Sequence, residues 1–457
     1  MIIIKIALGL FGMGILVFVH ELGHLVGARL AGIDVEAFSI GWGKPILKKK
    51  IKGVEYRLGM FPMGGYCKMR GDGEFQEVWE NSLKGQKPEK GTFYGTSPFG
   101  RIIACFGGPF FNMVFAALVL SFIWGIGFEV QTLDNRIVLA SELNNEIKYP
   151  ADEAGFKTGD RIIEVDGKKT SYYDDVKKKI AINPKKLLPV TVEREGEKTT
   201  LLVRPNLEKN GMGTIGVYFW TDAVIDDIIP GSDAAKAGLF PGDRITAVNK
   251  TPVTNTIDFS KAMENALETG SGRVSIDYAR NGVDKQAQGT TEIVISGYGG
   301  TPLGIVWPLV TYKNPPLSPP AALAKGVSES WETLVISLRS LSLLFQGINL
   351  TEAVSGPVRI TYMVGDIATE GFGRNFVTGL RSLANFLALI SIALCVMNLL
   401  PLPVLDGGMI VLTLVEWIRR KPIHPKAINA VQTAGVALIS GLIIFAVFGD
   451  ILFLTRR

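Results

Sequence analysis

The segment His20-Glu21-Leu22-Gly23-His24 is where residue type and spacing together allow chemistry. Histidines at i and i+4 project from one helix face, so both rings can reach one metal ion. Glu21 lies between them and can act on a metal-bound water rather than bind the metal. Only three histidines occur, His20, His24 and His424, so histidine-dependent chemistry has few other places to be. A catalytic zinc usually takes three protein ligands and leaves a fourth position open. His424 is one candidate for the third ligand, but it sits in a Pro-flanked basic loop and reads as solvated. Asp406 is the better candidate, in Asn398-Leu-Leu-Pro401-Leu-Pro403-Val-Leu-Asp406-Gly407-Gly408. Two prolines and two glycines there break a regular helix and expose backbone groups, which a membrane tolerates only at a buried or wet site.

The elements that must hold these residues are apolar helices. The 457 residues suggest about three domain-sized units. The chain is 47% hydrophobic and 20% charged, with a mean hydropathy of +0.26. That is too apolar for a disordered chain and unusual for a wholly soluble one. A net charge of +5 makes no case for nucleic-acid binding. Cys67, Cys105 and Cys395 lie far apart, which excludes a disulfide framework or a cysteine metal site.

Three runs, Ile102 to Phe128, Ser382 to Leu405 and Ala427 to Gly449, carry no charge. Each exceeds the roughly 20 residues that span a bilayer. The N-terminal run from Ile6 to Val19 has Lys5 ahead of it, as a signal peptide would, but no small-residue cleavage site follows. It reads better as a fourth spanning helix carrying an ionisable cluster, since polar groups at that depth are costly and by default functional. The first connection holds Lys48-Lys-Lys-Ile-Lys52, Arg57, Lys68 and Arg70, and the last holds Arg419-Arg-Lys421, His424 and Lys426. The positive-inside rule places both in the cytoplasm, with the termini and residues 129 to 380 on the far side. Arg456 and Arg457 run against that trend. In this topology His20 and Asp406 reach the same depth, near the cytoplasmic ends of the first and third helices.

Residues 129 to 380 contain a repeat. Ala154-Gly-Phe-Lys-Thr-Gly-Asp-Arg-Ile-Ile-Glu-Val-Asp-Gly-Lys168 matches Ala237-Gly-Leu-Phe-Pro-Gly-Asp-Arg-Ile-Thr-Ala-Val-Asn-Lys-Thr251. Alternating Ile/Val after Gly-Asp-Arg reads as a strand, followed by helical stretches at Tyr172 to Ile182 and Ile257 to Leu267. The period is domain-sized, so these are two tandem modules. The motif resembles the bacterial form of the PDZ domain. That resemblance implies a carboxylate-binding loop at Thr214, Ile215, Gly216 and Val217 in the second module, and an equivalent at Ile126-Gly-Phe128 in the first. The alternative is that both modules are spacers or steric filters. Asn314-Pro-Pro-Leu-Ser-Pro-Pro320 then reads as a stiff linker. Trp331, Leu334, Leu338, Leu341 and Phe345 recur at helical spacing as an amphipathic helix on the membrane or beside the bundle.

Taken together, these motifs resemble the site-2 protease family over nearly the whole chain: His-Glu-Leu-Gly-His in the first span, Leu-Asp-Gly in the third, and tandem PDZ modules between the second and third. Gly108-Pro109-Phe-Phe-Asn112 also looks like a family motif, and the family's membrane-re-entrant β-hairpin falls around Val54 to Lys68, where Gly59-Met-Phe-Pro-Met-Gly64-Gly65-Tyr66 matches. The resemblance implies an α-helical polytopic membrane protein with four transmembrane helices, a re-entrant β-hairpin and two inserted PDZ-like α+β domains. The expected boundaries are 1–33, 102–128, 381–410 and 427–450 for the helices, 34–101 for the hairpin region, 129–213 and 214–310 for the PDZ-like domains, 311–380 for the linker and amphipathic region, and 411–426 for the basic loop. It further implies an intramembrane zinc metalloprotease with Zn2+ held by His20, His24 and Asp406 and Glu21 as the general base. Asn398 and Asn112 would bind an unwound substrate backbone, and Gly64, Gly65 and Tyr66 of the hairpin would capture it. Substrates implied by the family are single-span proteins already trimmed on their outer side, such as a membrane-bound anti-sigma factor, and remnant signal peptides. The implied location is the bacterial inner membrane, with the PDZ modules periplasmic.

Two readings from other classes compete. A metal or ion transporter could line its path with His20, Glu21, His24 and Asp406, but the four spans show no inverted repeat. A membrane-anchored PDZ scaffold leaves the metal constellation unexplained.

Overall fold

The computed structural model describes residues 2–84, 86–143, 147–208, 211–268, 273–281, 286–294, 302–344, 357–374 and 376–455. The chain forms two compact units, one from residues 1–128 and 315–457, the other from residues 129–314.

Four helices of the first unit are long and apolar enough to cross a membrane: Ile2–Leu30, Pro98–Ile126, Phe376–Asn398 and Pro425–Thr455. The second begins four residues before its charge-free run. Ser97 caps it by accepting from the Gly100 N–H, Pro98 supplies a pre-set first turn, and Arg101 is drawn inside by an ion pair. It ends at Ile126, and Gly127 follows at φ 68°, so Ile126-Gly-Phe128 is a helix terminus and not a carboxylate loop. The third spanning helix stops at Asn398 because Pro401 and Pro403 cannot continue it. A separate helix, Asp406–Arg419, then starts. Asp406 therefore lies in the first turn of a new helix and not on the third span, and most of the expected basic loop is helical.

The first two spans pack through glycine. A side chain at Gly23 would run into the Gly107 carbonyl, and one at Gly27 would meet the Ile103 carbonyl. Such close backbone approach is how helices associate in lipid, where no hydrophobic drive exists. The helix Pro319–Leu344 lies on the second span through its small residues. Gly326 faces Ser121, Ala322 and Ser330 are buried, and Leu334 joins the Ala116, Leu120 and Ile392 cluster. Of the apolar stripe read as lying on the membrane or beside the bundle, Leu334 meets the bundle, while Trp331 is 61% exposed and Leu338 49% exposed. Phe345 lies outside the described residues. Helix Pro357–Arg374 packs Val364 against Leu16, Leu383 and Leu387.

Between the first two spans, Val35–Ile51 and Val54–Met69 form an antiparallel hairpin. Residues 54–69 are only its second strand, so the expected location covers half of it. Lys52 and Gly53, both at positive φ, make the two-residue turn that suits a right-twisted hairpin. Gly41, Gly43 and Gly64, also at positive φ, bend the long strands back on themselves. Residues 35–40 consequently pair with 65–69 on one side and 55–58 on the other, and 54–58 pair in turn with 47–51. Two strands thus make a four-stranded sheet with 65–69 along one edge.

The second unit holds two four-stranded antiparallel sheets of one topology. The first runs in the order Lys168–Lys169, Arg161–Val165, Leu188–Arg194, Glu197–Val203. The second runs Thr251–Pro252, Arg244–Val248, Arg273–Asn281, Gln286–Val294. Helices Tyr173–Ala181 and Thr256–Glu268 contribute Val176 and Ile180, and Phe259, Ala262 and Met263, to the respective cores. The boundary falls later than expected. Val217–Phe219 pairs with Ile137–Leu139, and Ile215 is buried in the first core. Ala223 opens the second core, whose matching strand Ile305–Val306 pairs with Asp227–Ile228.

Candidate metal centre

An apolar helix with histidines four residues apart puts both rings on one face, and here they stack edge-on with centroids 4.7 Å apart. Their Nε2 atoms are 3.2 Å apart. The broken segment after the third span brings Asp406 to them. Its Oδ2 is 3.3 Å from His20 Nε2 and its Oδ1 3.3 Å from His24 Nε2. All three ligand atoms lie within 4.8 Å of one another, the one such cluster among the described residues.

Several contacts hold this arrangement. Gly108 abuts both imidazoles, and any side chain there would displace them. His24 Nδ1 donates to the Ala104 carbonyl at 2.9 Å, which leaves Nε2 with a lone pair toward the cluster. Arg101 of the second span donates to Glu416 at 2.6 Å, both nearly buried, and Glu416 also accepts from the Ile423 N–H. That ion pair ties the helix that Asp406 opens to the second span. Sequence reasoning passed over Glu416, although a lone carboxylate between apolar residues of Val411–Ile418 was its signal.

The residues suit a cation. Asp406 Oδ2 is buried and makes no hydrogen bond, although it sits within ion-pair distance of His20. Burying a carboxylate oxygen in that state is costly unless a positive charge completes the site. Two imidazole nitrogens and a carboxylate are the donor set of catalytic zinc, which keeps a fourth position open.

A cavity of about 500 Å³ opens onto the cluster, lined by Glu21, Trp42, Gly64, Gly65, Tyr66 and Asn398 among others. Glu21 stands on its wall beside the Cys67 backbone and outside the ligand set. Asn398 Nδ2 approaches His20 Nε2 at 3.4 Å. Gly64, at φ 82°, leaves room for the Trp42 indole, and Gly65 lets the edge strand press against Val17 and the Ser39 carbonyl. The Tyr66 hydroxyl accepts from Arg57 Nη1 at 2.9 Å.

Two expected placements change, those of Asn112 and of Thr214 to Val217, while His424 stays off the cluster as its basic, Pro-flanked setting suggests. Asn112 is fully buried, does not line the cavity and contacts His20 Nδ1 at 3.1 Å, so it is not positioned to meet a substrate backbone. His424 stacks on Trp79 and accepts from the Lys426 N–H, away from the cluster. Thr214, Ile215, Gly216 and Val217 belong to the first module. The Ile215 and Gly216 carbonyls accept from Ala151 and Ala140, and the Val217 carbonyl accepts from the Tyr173 hydroxyl.

A His-Glu-x-x-His helix closed by a distant carboxylate, set among membrane-length apolar helices, defines a membrane-embedded metallopeptidase. The pattern of peptidase family M50 matches residues 8–442. The chain is 33% identical to a candidate zinc metalloprotease of Treponema pallidum, with 99% of each chain covered. It is 29% identical to the regulator of sigma E protease of Haemophilus influenzae, with 97% of each covered. The chain belongs to peptidase family M50, the site-2 proteases. It is a multi-pass membrane protein and a zinc metalloprotease of regulated intramembrane proteolysis.

Proposed function

We propose that this protease hydrolyses peptide bonds within or near the spanning segment of single-span membrane proteins, with His20, His24 and Asp406 holding the zinc and Glu21 moving the proton. The observation that carries this reading is the convergence of the three ligand atoms, with Glu21 on the cavity wall beside them. When bound, zinc supplies a Lewis acid that polarises a carbonyl and acidifies water. The Glu21 carboxylate takes the proton from the attacking water and returns it to the leaving amide nitrogen.

A substrate helix hides its carbonyls in its own hydrogen bonds and must unwind first. Residues 65–69 pair only with 35–40 in the described sheet, and Gly64 to Cys67 line the cavity. Their outer edge, which no other described strand covers and where the Cys67 backbone meets Glu21, is suited to take an extended substrate as an added strand. Asn398, half-buried at the cavity wall, is suited to hydrogen-bond that strand. The hairpin's exposed Trp42, Ile46, Leu47, Met60 and Phe61 support placing it in the apolar layer. The basic connections support a cytoplasmic-side active site in the bacterial inner membrane and a periplasmic location for residues 129–314. The two modules there are PDZ-like, and act either to exclude bulky outer domains or to read a new C-terminus. The substrates we infer are pre-trimmed single-span proteins such as a membrane-bound anti-sigma factor, together with remnant signal peptides.

The test is cleavage of a single-span reporter, trimmed on its outer side, in membranes holding wild-type protein or Glu21→Gln. The wild type should cut in a chelator-sensitive manner. Glu21→Gln should lose about 10²–10⁴-fold in rate while retaining zinc. Equal cleavage by both proteins would remove Glu21 from the mechanism. Zinc-loaded protein that leaves the reporter intact but conducts metal into vesicles would favour transport.

A further inference from the structure

Each imidazole that offers Nε2 to a cation must carry its proton on Nδ1, and that N–H needs an acceptor. For His24 the acceptor is the backbone carbonyl of Ala104, which no substitution removes. His20 has a different neighbour at Nδ1: the side-chain amide of Asn112, placed with its Nδ2 3.1 Å away. Asn112 lies one helical turn beyond Gly108, the residue that touches both rings. It is 0% exposed, and its backbone carbonyl accepts from Ser391 Oγ at 2.9 Å. The second and third spans thus hold it in place behind the ring.

We propose that Asn112 is a positioning residue for the metal centre, its amide oxygen accepting the His20 Nδ1 proton so that Nε2 keeps its lone pair toward Asp406. The proposal rests on His20 being a zinc ligand, as put forward above. The two ends of an amide have the same shape, and the hydrogen-bond network decides which faces a partner. With the nitrogen toward Nδ1, the ring proton is driven to Nε2, where it points into the ligand cluster. The carboxamide oxygen is then left buried with no partner. With the oxygen toward Nδ1, the ring is set in the ligating tautomer and its rotation about χ2 is restrained. Asn112 touches no substrate in this scheme and acts only through His20.

The experiment is zinc affinity of the full chain in detergent micelles, measured against a competing chromophoric chelator, with thermal melts as a control for folding. Asn112→Leu keeps the volume and removes the acceptor, and should weaken zinc about 10–100-fold, the usual effect of losing an outer-shell partner. Asn112→Asp can accept, and should bind zinc within a few-fold of wild type. A residue that merely fills space would give the reverse, with leucine retaining zinc and aspartate losing it, and that result overturns the proposal, as does equal affinity in all three proteins. If Asn112→Leu fails to fold, Asn112→Ala against Asn112→Asp makes the same comparison. Absence of zinc from the wild type would instead overturn the ligand assignment on which the proposal rests.

Discussion

The two modules of residues 129–314 are copies of one fold, and comparing them separates what the fold requires from what each module adds. Both keep the Gly-Asp-Arg aspartate buried and clamped. Asp160 accepts from Arg194 Nε at 2.7 Å, and Asp243 accepts from Arg280 Nε at 2.6 Å. In each case the same guanidinium reaches a glycine carbonyl, Gly155 or Gly238. Both aspartates also take an N–H three residues back, from Lys157 or Phe240. Each module further has a glycine at positive φ before its closing strand, Gly216 at 78° and Gly304 at 74°. The difference lies beside that strand. In the first module the Tyr173 hydroxyl donates to the Val217 carbonyl at 2.7 Å, and its ring packs on Phe219. In the second, Thr256 occupies the matching position at the start of the helix, and Phe259 packs on Trp307 instead. The first module therefore satisfies with its own side chain a carbonyl that an added peptide strand would otherwise use. Burial pushes the Tyr173 phenol up to about 12, so it remains a donor at any physiological pH.

The shared clamp predicts the largest and most equal losses. Arg194→Ala and Arg280→Ala each leave a buried carboxylate without its cation, and each should destabilise its own module by about 3 kcal/mol. Hydrogen exchange of the full chain in micelles would report this module by module. A loss confined to one of them would break the equivalence.

Smaller and less equal effects are expected at the two glycines. Alanine there is held at positive φ, at about 1–3 kcal/mol. The added methyl at Gly216 meets Tyr149, and at Gly304 it meets the lighter Ser232. Gly216→Ala should be the worse of the two, read as the lower melting temperature.

The finest distinction is Tyr173→Phe. Losing one hydrogen bond to the Val217 carbonyl should cost about 1 kcal/mol and speed amide exchange in residues 217–219 by about fivefold. Unchanged exchange would mean that the hydroxyl does not close that edge.

Some of this was legible before any coordinates. The repeated Gly-Asp-Arg segments carry their turn and strand chemistry locally, so two modules were recognisable, as were the strands and helices that follow the motif. The closing strand was not. Residues 217–219 pair with 137–139, and only that non-local pairing decides that Thr214–Val217 serves the first module. Likewise the glycine bends of the hairpin hide four strands inside two, and a span read from hydropathy says nothing of the small-residue face by which Ala322, Gly326 and Ser330 settle onto a neighbour.

By itself the sequence determined the ingredients of the centre. Histidine spacing sets two rings on one helix face, charge-free length sets membrane-crossing helices, and the prolines after Asn398 set a break that lets Asp406 start afresh. Those are short-range consequences of dihedral preference and helical period. Only the tertiary structure decided which buried groups meet. Asp406 closes on His20 and His24, Arg101 on Glu416, and Asn112 on the back of His20. These contacts join residues distant in the chain through backbones brought close at glycines. Local periodicity has no term for which face of one helix will lie against another.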